Sequence, residues 1–150
     1  MSETDDSLAI KEQITASLRG LFEAENPGGN REAAAEFFAP DCIPIIRGSG
    51  QKAGSRDEML KSFGTRPDFY RYASRAVIEV TLFLENQLAI ATTILPTIDV
   101  SGATPAMATY CNTHVLLRRD DEWKCISWQV TKQESFPRGI VTSLLGALER

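Results

Sequence analysis

The second half of the chain changes from a helical to an alternating pattern of apolar residues, and this change constrains the fold most. Four long runs alternate with a period of two, at residues 72–84, 88–100, 104–119 and 122–134. The breaks between the runs are short enough for antiparallel hairpins. Long strands joined in this way must twist and bury one face, which predicts a curled antiparallel meander.

Three segments before the first of these runs have the spacing of amphipathic helices. The first spans residues 7–24 and carries an apolar stripe at three- and four-residue intervals: Ile10, Ile14, Leu18, Leu21 and Phe22. Asn30 is a suitable cap for a second, shorter helix over residues 31–38. A capping box at residues 55–58 opens a third helix, with Met59, Leu60 and Phe63 on one face. These helices are available to cover the sheet.

A short extended run at residues 42–47 lies between the second and third helices. Pro44 has no N–H to donate, so this strand is expected at a sheet edge or with a bulge. The last segment, residues 136–150, has the pattern of a fourth amphipathic helix. With 150 residues and no internal repeat or linker, residues 1–150 are expected to form one domain with a core of about residues 7–132.

Composition argues against several classes of function. The net charge is -4 and no basic run is present, so nucleic acid is not an expected partner. The three cysteines, Cys42, Cys111 and Cys125, are odd in number and without a CxxC pair, which predicts reduced, buried thiols. No apolar stretch approaches the ~18 residues of a membrane span, and the polar N-terminus does not resemble a signal peptide, so a cytoplasmic protein is expected.

Three local motifs, taken in order, resemble those of a known superfamily. The segment Phe37-Phe38-Ala39-Pro40-Asp41-Cys42 resembles the F-A-x-D-A that leads into a first strand, and Gly54 with the following helix start resembles G-R-x-x-I. The segment Trp123-Lys124-Cys125-Ile126-Ser127 resembles the W-K-I of a final strand. The chain therefore resembles the nuclear transport factor 2-like superfamily, and within it the SnoaL-like subset of polyketide cyclases, ketosteroid isomerase and scytalone dehydratase.

The resemblance implies an α+β fold in which a curved antiparallel sheet, or cone, wraps around the N-terminal helices. It also implies a deep apolar pocket between the concave face of the sheet and the first and third helices. Because this superfamily includes enzymes, binding proteins and assembly domains, the fold alone does not define the function.

His114 is the only histidine of the chain, and it lies within the third alternating run. Histidine is the side chain whose ordinary pKa lies nearest neutrality. Alternation places Tyr110, Asn112 and His114 on one face of the strand. The resemblance places His114 where ketosteroid isomerase has a protonated aspartic acid that donates to an oxyanion. These three residues are the candidate catalytic group, with His114 as acid, base or donor; the alternative is a histidine that only packs in the core.

The chain also departs from the enzymes that it resembles. The end of the first strand, Ile45-Ile46-Arg47-Gly48, has no carboxylate base, and the first helix has no tyrosine. Scytalone dehydratase uses a pair of histidines, whereas this chain has one. A single histidine without an acid cluster also argues against a metal site, and no cofactor motif is present.

Four further residues are candidates for substrate binding: Trp128, Tyr72, Arg47 and Phe63. Trp128 alternates with Ile126 and Val130, so it is either a stacking wall for a ring or part of a core or dimer interface. Arg47 is suited to a ligand carboxylate or to a surface ion pair. Glu79 could pair with His114 only if both side chains face inward.

Two classes of function stay open at this point. One is a cofactor-free isomerase, cyclase or dehydratase that acts on an apolar carbonyl compound by proton transfer in the cone pocket. The other is a non-catalytic module that binds a small apolar ligand or dimerises. A homodimer is expected in either case, because Val115 and Leu117 would leave apolar surface on the outer face of the sheet.

Overall fold

The computed structural model describes residues 4–42, 46–47, 56–61 and 63–133, with the backbone alone at residues 46, 47 and 133. Helix α1 spans Asp5–Glu25, and the Thr4 hydroxyl accepts a hydrogen bond from the Ser7 N–H at 3.1 Å. The helix thus begins two residues before the predicted start, because Thr4 is the cap. Helix α2 spans Arg31–Phe37, and the predicted cap is confirmed: the Asn30 side chain accepts from the Ala33 N–H at 3.1 Å.

Helix α3 spans Arg56–Lys61. Ser55, the first residue of the predicted capping box, lies outside the described residues, as does the predicted helix over residues 136–150. Phe63 follows the end of α3 and is buried, and Gly64 then adopts a left-handed conformation with φ of 73°. The Gly64 N–H donates to the Glu25 carbonyl at 3.1 Å, so this turn holds the end of α3 against the end of α1.

The described strands form one sheet in which every pairing is antiparallel except that between the first and the last strand, which is parallel. Their bounds are β1 Ile46–Arg47, β2 Phe69–Arg71, β3 Val77–Phe83, β4 Leu88–Asp99, β5 Ala106–Arg119 and β6 Glu122–Gln133. The sheet order is β1-β6-β5-β4-β2, and β3 also pairs with β4. The expectation that the first short strand lies at an edge is therefore confirmed for Ile46–Arg47.

The first of the four predicted long runs, residues 72–84, is wrong at its beginning. Residues 72–76 bulge out of the sheet as a short 3-10 turn, Ala73–Arg75, and β3 starts only at Val77. The register explains the corner: Arg71 lies opposite Thr97, whereas Val77 lies opposite Ile94. Five residues therefore face two residues of β4, and the surplus must leave the ladder.

Two turns of the meander use left-handed backbone conformations, one at residues 84–86 and the other at residues 120–121. Asp120 and Asp121 have φ of 51° and 63°, which is the geometry of a two-residue type I′ hairpin. Aspartate tolerates this region better than most residues, so the local sequence suits the turn. The predicted hairpin between β5 and β6 is confirmed.

A β-bulge lies in β6 opposite the middle of β5. Val115 pairs with Ser127 and Leu116 pairs with Cys125, which leaves Ile126 as the additional residue. Trp128 therefore shares the concave face with Cys125 and not with Ile126, so the predicted alternation of Trp128 with Ile126 is wrong. On the other side of Trp128 the alternation with Val130 holds.

The core fills the space between the helices and the concave face of the sheet. The stripe of α1 contributes Ile14, Leu18, Leu21 and Phe22, all of which are buried. The sheet contributes Ala89, Ala91, Leu95, Leu116, Cys125 and Trp128. The small side chains of β4 leave room for the helix, so that the sheet curls around it. The predicted α+β cone is confirmed.

Candidate functional site

Strand β5 carries the central polar residues of the concave face. His114 is fully buried and Asn112 is 3% exposed. Tyr110 lies on the same face but is half-buried, and its ring meets the Phe69 ring edge-on at 6.0 Å between centroids. Across the ladder, Asn112 lies opposite Thr93 and His114 lies opposite Trp128. The register therefore places these polar groups side by side inside the cone.

Aromatic rings surround the imidazole of His114. Trp128 stacks on it at 5.1 Å between ring centroids with an interplanar angle of 19°. Phe22 from α1 and Phe37 from α2 meet it edge-on at 6.1 and 5.9 Å. Neither ring nitrogen has a hydrogen-bond partner among the described residues. Within this part of the chain, the ring is thus held by packing.

Burial lowers the pKa of His114 from 6.5 to about 3, because desolvation penalises the imidazolium. The ring is therefore neutral at neutral pH. A neutral imidazole has one N–H donor and one acceptor nitrogen. The neutral ring can therefore donate a hydrogen bond to a ligand or accept one from it. It lacks the second N–H proton of an imidazolium and so cannot act as a cationic acid.

Asn112 extends this polar group. Its Oδ1 accepts a hydrogen bond from the Trp128 indole N–H at 3.1 Å, which fixes the orientation of the amide. Its Nδ2 has no partner among the described residues, and neither does the Thr93 hydroxyl. Buried polar atoms are rarely left without partners. We define Thr93, Asn112 and His114, with the supporting Trp128, as the cone cluster.

A solvent-open groove lies next to the cone cluster. It has a volume of about 370 Å³ and lies between α1, α2 and the hairpin that joins β5 to β6. Leu21, Phe37 and Trp123 are its large apolar residues. Phe37 is half-buried and also packs against His114. This one side chain therefore contacts both the groove and the cone cluster.

A second polar group lies at the end of α1 and is largely buried, with the Glu25 side chain 9% exposed and the Arg71 side chain 19% exposed. Glu25 Oε2 forms an ion pair with Arg71 Nε at 2.9 Å, and the Glu25 Oε1 has no partner among the described residues. The Asn26 side chain joins the end of α1 to β2, because its amide N–H donates to the Arg71 carbonyl and its Oδ1 accepts from the Arg71 backbone N–H. The Arg71 guanidinium also lies over the Phe69 ring, 4.8 Å from its centroid.

The pKa of Glu25 is raised from 4.5 to about 7 by burial, and the opposing effect of Arg71 is smaller. The geometry agrees with this direction, since Arg71 bonds only one of the two carboxyl oxygens. Sequence reasoning missed Glu25. The signal was present, because Glu25 continues the spacing of the buried stripe of α1, three residues beyond Phe22 and four beyond Leu21.

The structure brings only some of the predicted site residues together. Asn112, His114 and Trp128 are in contact, and Tyr110 shares their face. Tyr72 is half-buried at the corner between β2 and β3, and Phe63 is buried after α3. Within the described residues, neither makes a ring contact with His114. Arg47 lies in register with Val130 on the edge strand, and its side chain lies outside the described residues.

Glu79 does not pair with His114. It lies opposite Thr92 in the ladder between β3 and β4, and both residues are exposed on the outer face. The prediction of three buried thiols is also only partly correct: Cys125 is buried, whereas Cys42 and Cys111 are half-buried. In the part of the chain that the structure describes, no helix is long and apolar enough to cross a membrane.

Comparison with solved structures identifies the fold. No protein-family model matches the sequence, and no curated protein matches it. A ketosteroid isomerase-like protein from Erwinia carotovora atroseptica superimposes with a TM-score of 0.63 at 13% identity, covering 88% of this chain and 100% of that one. An NTF2-like protein of unknown function from Methylobacillus flagellatus gives 0.59 at 15%, covering 88% and 96%.

The association domain of CaMKII from C. elegans gives a TM-score of 0.64 at 13% identity, covering 85% of this chain and 98% of that one. The chain has the fold of the nuclear transport factor 2-like superfamily, as its sequence predicted. At these identities the likeness concerns the fold alone, and the SnoaL-like subset stays a prediction.

Proposed function

We propose that this protein binds a small, mainly apolar molecule that carries a carbonyl group, and that the cone cluster supplies the hydrogen bonds. The observation that carries the proposal is the set of buried polar atoms on Asn112, His114 and Thr93 that have no hydrogen-bond partner among the described residues. A ligand oxygen placed between the Asn112 amide and the imidazole N–H would accept from both. Trp128, Phe22 and Phe37 would contact its apolar body.

The groove supports an entry route for such a ligand. Binding sites for small molecules are concave, mostly apolar and contain a few polar groups. The groove of about 370 Å³ provides the concave surface, and Phe37 is the side chain between it and His114. A change of the Phe37 rotamer would open a path from solvent to the cone cluster.

A fluorescent naphthyl ketone tests this proposal directly, because its emission depends on polarity and on hydrogen bonds to its carbonyl. Wild-type protein is expected to bind the ketone saturably. Asn112→Leu and His114→Phe are each expected to weaken binding at least about tenfold, the effect of about 1.4 kcal/mol for one lost hydrogen bond. Thr113→Val, on the outer face of the same strand, is the matched control. Equal binding by all four proteins would reject the proposal.

A catalytic form of the proposal adds proton transfer, as in an isomerase, cyclase or dehydratase. Glu25 is the candidate proton carrier, because a carboxyl group with a pKa of about 7 is suited to exchange protons at neutral pH, although its contacts among the described residues are with Arg71 and Gly64 and not with the cone cluster. Exchange of the α-hydrogens of an enolisable bicyclic ketone into deuterated water, followed by NMR, tests this form. Acceleration that is lost in Glu25→Gln and His114→Phe is expected. A rate equal to that of buffer would leave ligand binding without catalysis.

A non-catalytic association module is the second candidate, and the outer face of the sheet favours it. Val77 and Ile94 lie opposite each other and are 59% and 50% exposed. We propose that this face pairs two copies of the chain. Sedimentation at micromolar concentration is expected to show a dimer that Ile94→Lys disrupts. A wild-type monomer at that concentration would reject dimerisation without bearing on the ligand site.

A further inference from the structure

Two of the three cysteines meet between α2 and the sheet. The backbone of Phe38 forms an isolated parallel β-bridge with that of Cys125, and the Ala39 N–H donates to the Cys125 carbonyl at 2.9 Å. The chain then turns, so that the Cys42 N–H donates to the Ala39 carbonyl at 3.0 Å. This turn brings the Cys42 thiol beside that of Cys125, close enough for a hydrogen bond between them to affect the pKa of both.

We propose that Cys42 and Cys125 are a peroxide-reactive thiol pair that closes to an intramolecular disulfide. Cys42 is half-buried and therefore reachable, whereas Cys125 is fully buried and lies behind it. An accessible thiol in contact with a second, protected thiol is the arrangement of an attacking and a resolving cysteine. The proposal is independent of ligand binding in the cone.

The electrostatic surroundings assign the two roles. The pKa of Cys42 is lowered by the hydrogen bond with Cys125, with a further contribution from the nearby Arg56 guanidinium. Burial of the thiol and the Asp41 carboxylate oppose this effect without reversing it, and Asp41 is itself paired with Arg119 at 2.8 Å. Burial raises the pKa of Cys125 well above its ordinary value. Cys42 is thus the thiol that ionises first, and the thiolate is the reactive form.

The Cys125 hydrogen has two alternative acceptors. Its thiol donates to the Ser127 carbonyl at 3.2 Å. When Cys42 loses its proton, the same S–H can turn to the thiolate and stabilise it. Because a β-bulge separates Cys125 from Ser127 in the ladder with β5, this carbonyl is close enough to serve as the resting acceptor.

The reaction balances with a hydroperoxide as the oxidant. The Cys42 thiolate attacks the O–O bond, so that a sulfenic acid forms and hydroxide or an alkoxide leaves. The leaving group takes up the proton that Cys42 released. The Cys125 sulfur then attacks the Cys42 sulfur, and the sulfenic hydroxyl leaves with the Cys125 proton as water. Two thiols are oxidised, one peroxide is reduced and one S–S bond forms between the segment that follows α2 and strand β6.

Peptide mapping of the full chain after treatment with equimolar hydrogen peroxide tests the proposal. We expect a mass decrease of two hydrogen atoms per chain, loss of two of the three thiols, and a disulfide that joins Cys42 to Cys125. Cys111→Ser is the matched control and should form the same disulfide. In Cys42→Ser, Cys125 should remain a thiol.

Cys125→Ala provides a second arm, since Cys42 should then stop at a sulfenic acid that dimedone traps. If that buried substitution prevents folding, the wild-type map and the Cys42→Ser variant still decide the question. A disulfide that includes Cys111, a link between two chains, or a Cys42 that stays reduced in the wild type would each overturn the proposal.

Discussion

The cone cluster is a buried polar group and the Glu25–Arg71 pair is a largely buried one, but burial shifts the pKa of their titratable groups in opposite directions. Desolvation lowers the pKa of His114 to about 3 and raises that of Glu25 to about 7. In each case the neutral form is favoured. Only Glu25 has a charged partner, which limits the shift and leaves this carboxyl near its midpoint at neutral pH.

The comparison shows that residue type alone does not identify the titrating group. His114 drew attention because the ordinary pKa of histidine lies near neutrality, yet its cage of aromatic rings removes it from that range. Glu25 has an ordinary pKa far from neutrality, and its burial brings it there. The cone cluster is therefore suited to neutral hydrogen bonding, whereas the Glu25–Arg71 pair is suited to proton exchange.

The largest expected effect concerns the acid side of the stability curve. The folded pKa of His114 lies below its ordinary value of 6.5, so its contribution to stability is present above pH 6.5 and is lost as the pH falls towards 3. The loss is about 5 kcal/mol for a shift of this size. His114→Phe keeps a ring but cannot be protonated. Between pH 7 and 3, its free energy of unfolding should therefore fall by about 5 kcal/mol less than that of the wild type.

Urea unfolding of both proteins across this range measures the difference, with Thr113→Val as the control that should follow the wild type. Parallel curves for the wild type and His114→Phe would show that His114 is not desolvated as described. The comparison between the two regions would then no longer hold.

The next effect breaks the ion pair. Arg71→Met leaves the Glu25 carboxylate buried without its cation, and we expect a loss of about 3 kcal/mol in the free energy of unfolding at pH 8. At pH 5 the loss should be smaller, because Glu25 is then protonated. Arg66→Met is the matched control, since Arg66 also lies over the Phe69 ring but pairs with Asp99 at the surface. An Arg71→Met loss that is the same at both pH values would contradict the account.

Glu25→Gln tests the raised pKa of Glu25. The folded pKa of Glu25 lies above 4.5, so its contribution to stability is greatest below pH 4.5 and is lost as the pH rises through about 7. The change is about 3 kcal/mol. Glu25→Gln has no titratable group at this position. Relative to this variant, the free energy of unfolding of the wild type should fall over this pH interval, and above it the two pH curves should be parallel. A constant difference from pH 4 to 8 would rule out a raised pKa for Glu25.

The smallest effect concerns the support of the cone cluster. Trp128→Phe removes the indole donor to Asn112 Oδ1 and keeps a ring against His114. We expect a loss of about 1 to 2 kcal/mol, because the buried amide then has no partner within the cluster. Trp123→Phe, in the groove, is the control for loss of an indole. Thermal unfolding of both variants gives the comparison, and equal losses would mean that the hydrogen bond contributes little.

The sequence predicted the parts of this molecule that depend on short-range patterns. Alternation along β5 correctly placed Asn112 and His114 on one face, and the spacing of α1 predicted its buried stripe. These patterns are properties of consecutive residues, so one chain is enough to read them.

The remaining features depend on contacts between distant residues. The burial of Glu25 requires Arg71, which is 46 residues away, and a charged residue after an apolar stripe ordinarily marks the solvated end of a helix. The bulge at Ile126 shifts the alternation of inward and outward side chains in β6 by one residue. The sequence Cys125-Ile126-Ser127 does not predict this bulge. The contact between Cys42 and Cys125 likewise arises only when α2 docks on the sheet.

NMR titration of the imidazole of His114 tests the central claim most directly, because the chain has a single histidine and hence a single imidazole signal set. The account predicts that its carbon-bound proton shifts do not change between pH 5 and 8, while the side-chain carboxyl carbon of Glu25 titrates with a midpoint near pH 7. An imidazole that titrates with a midpoint near 6.5 would contradict it.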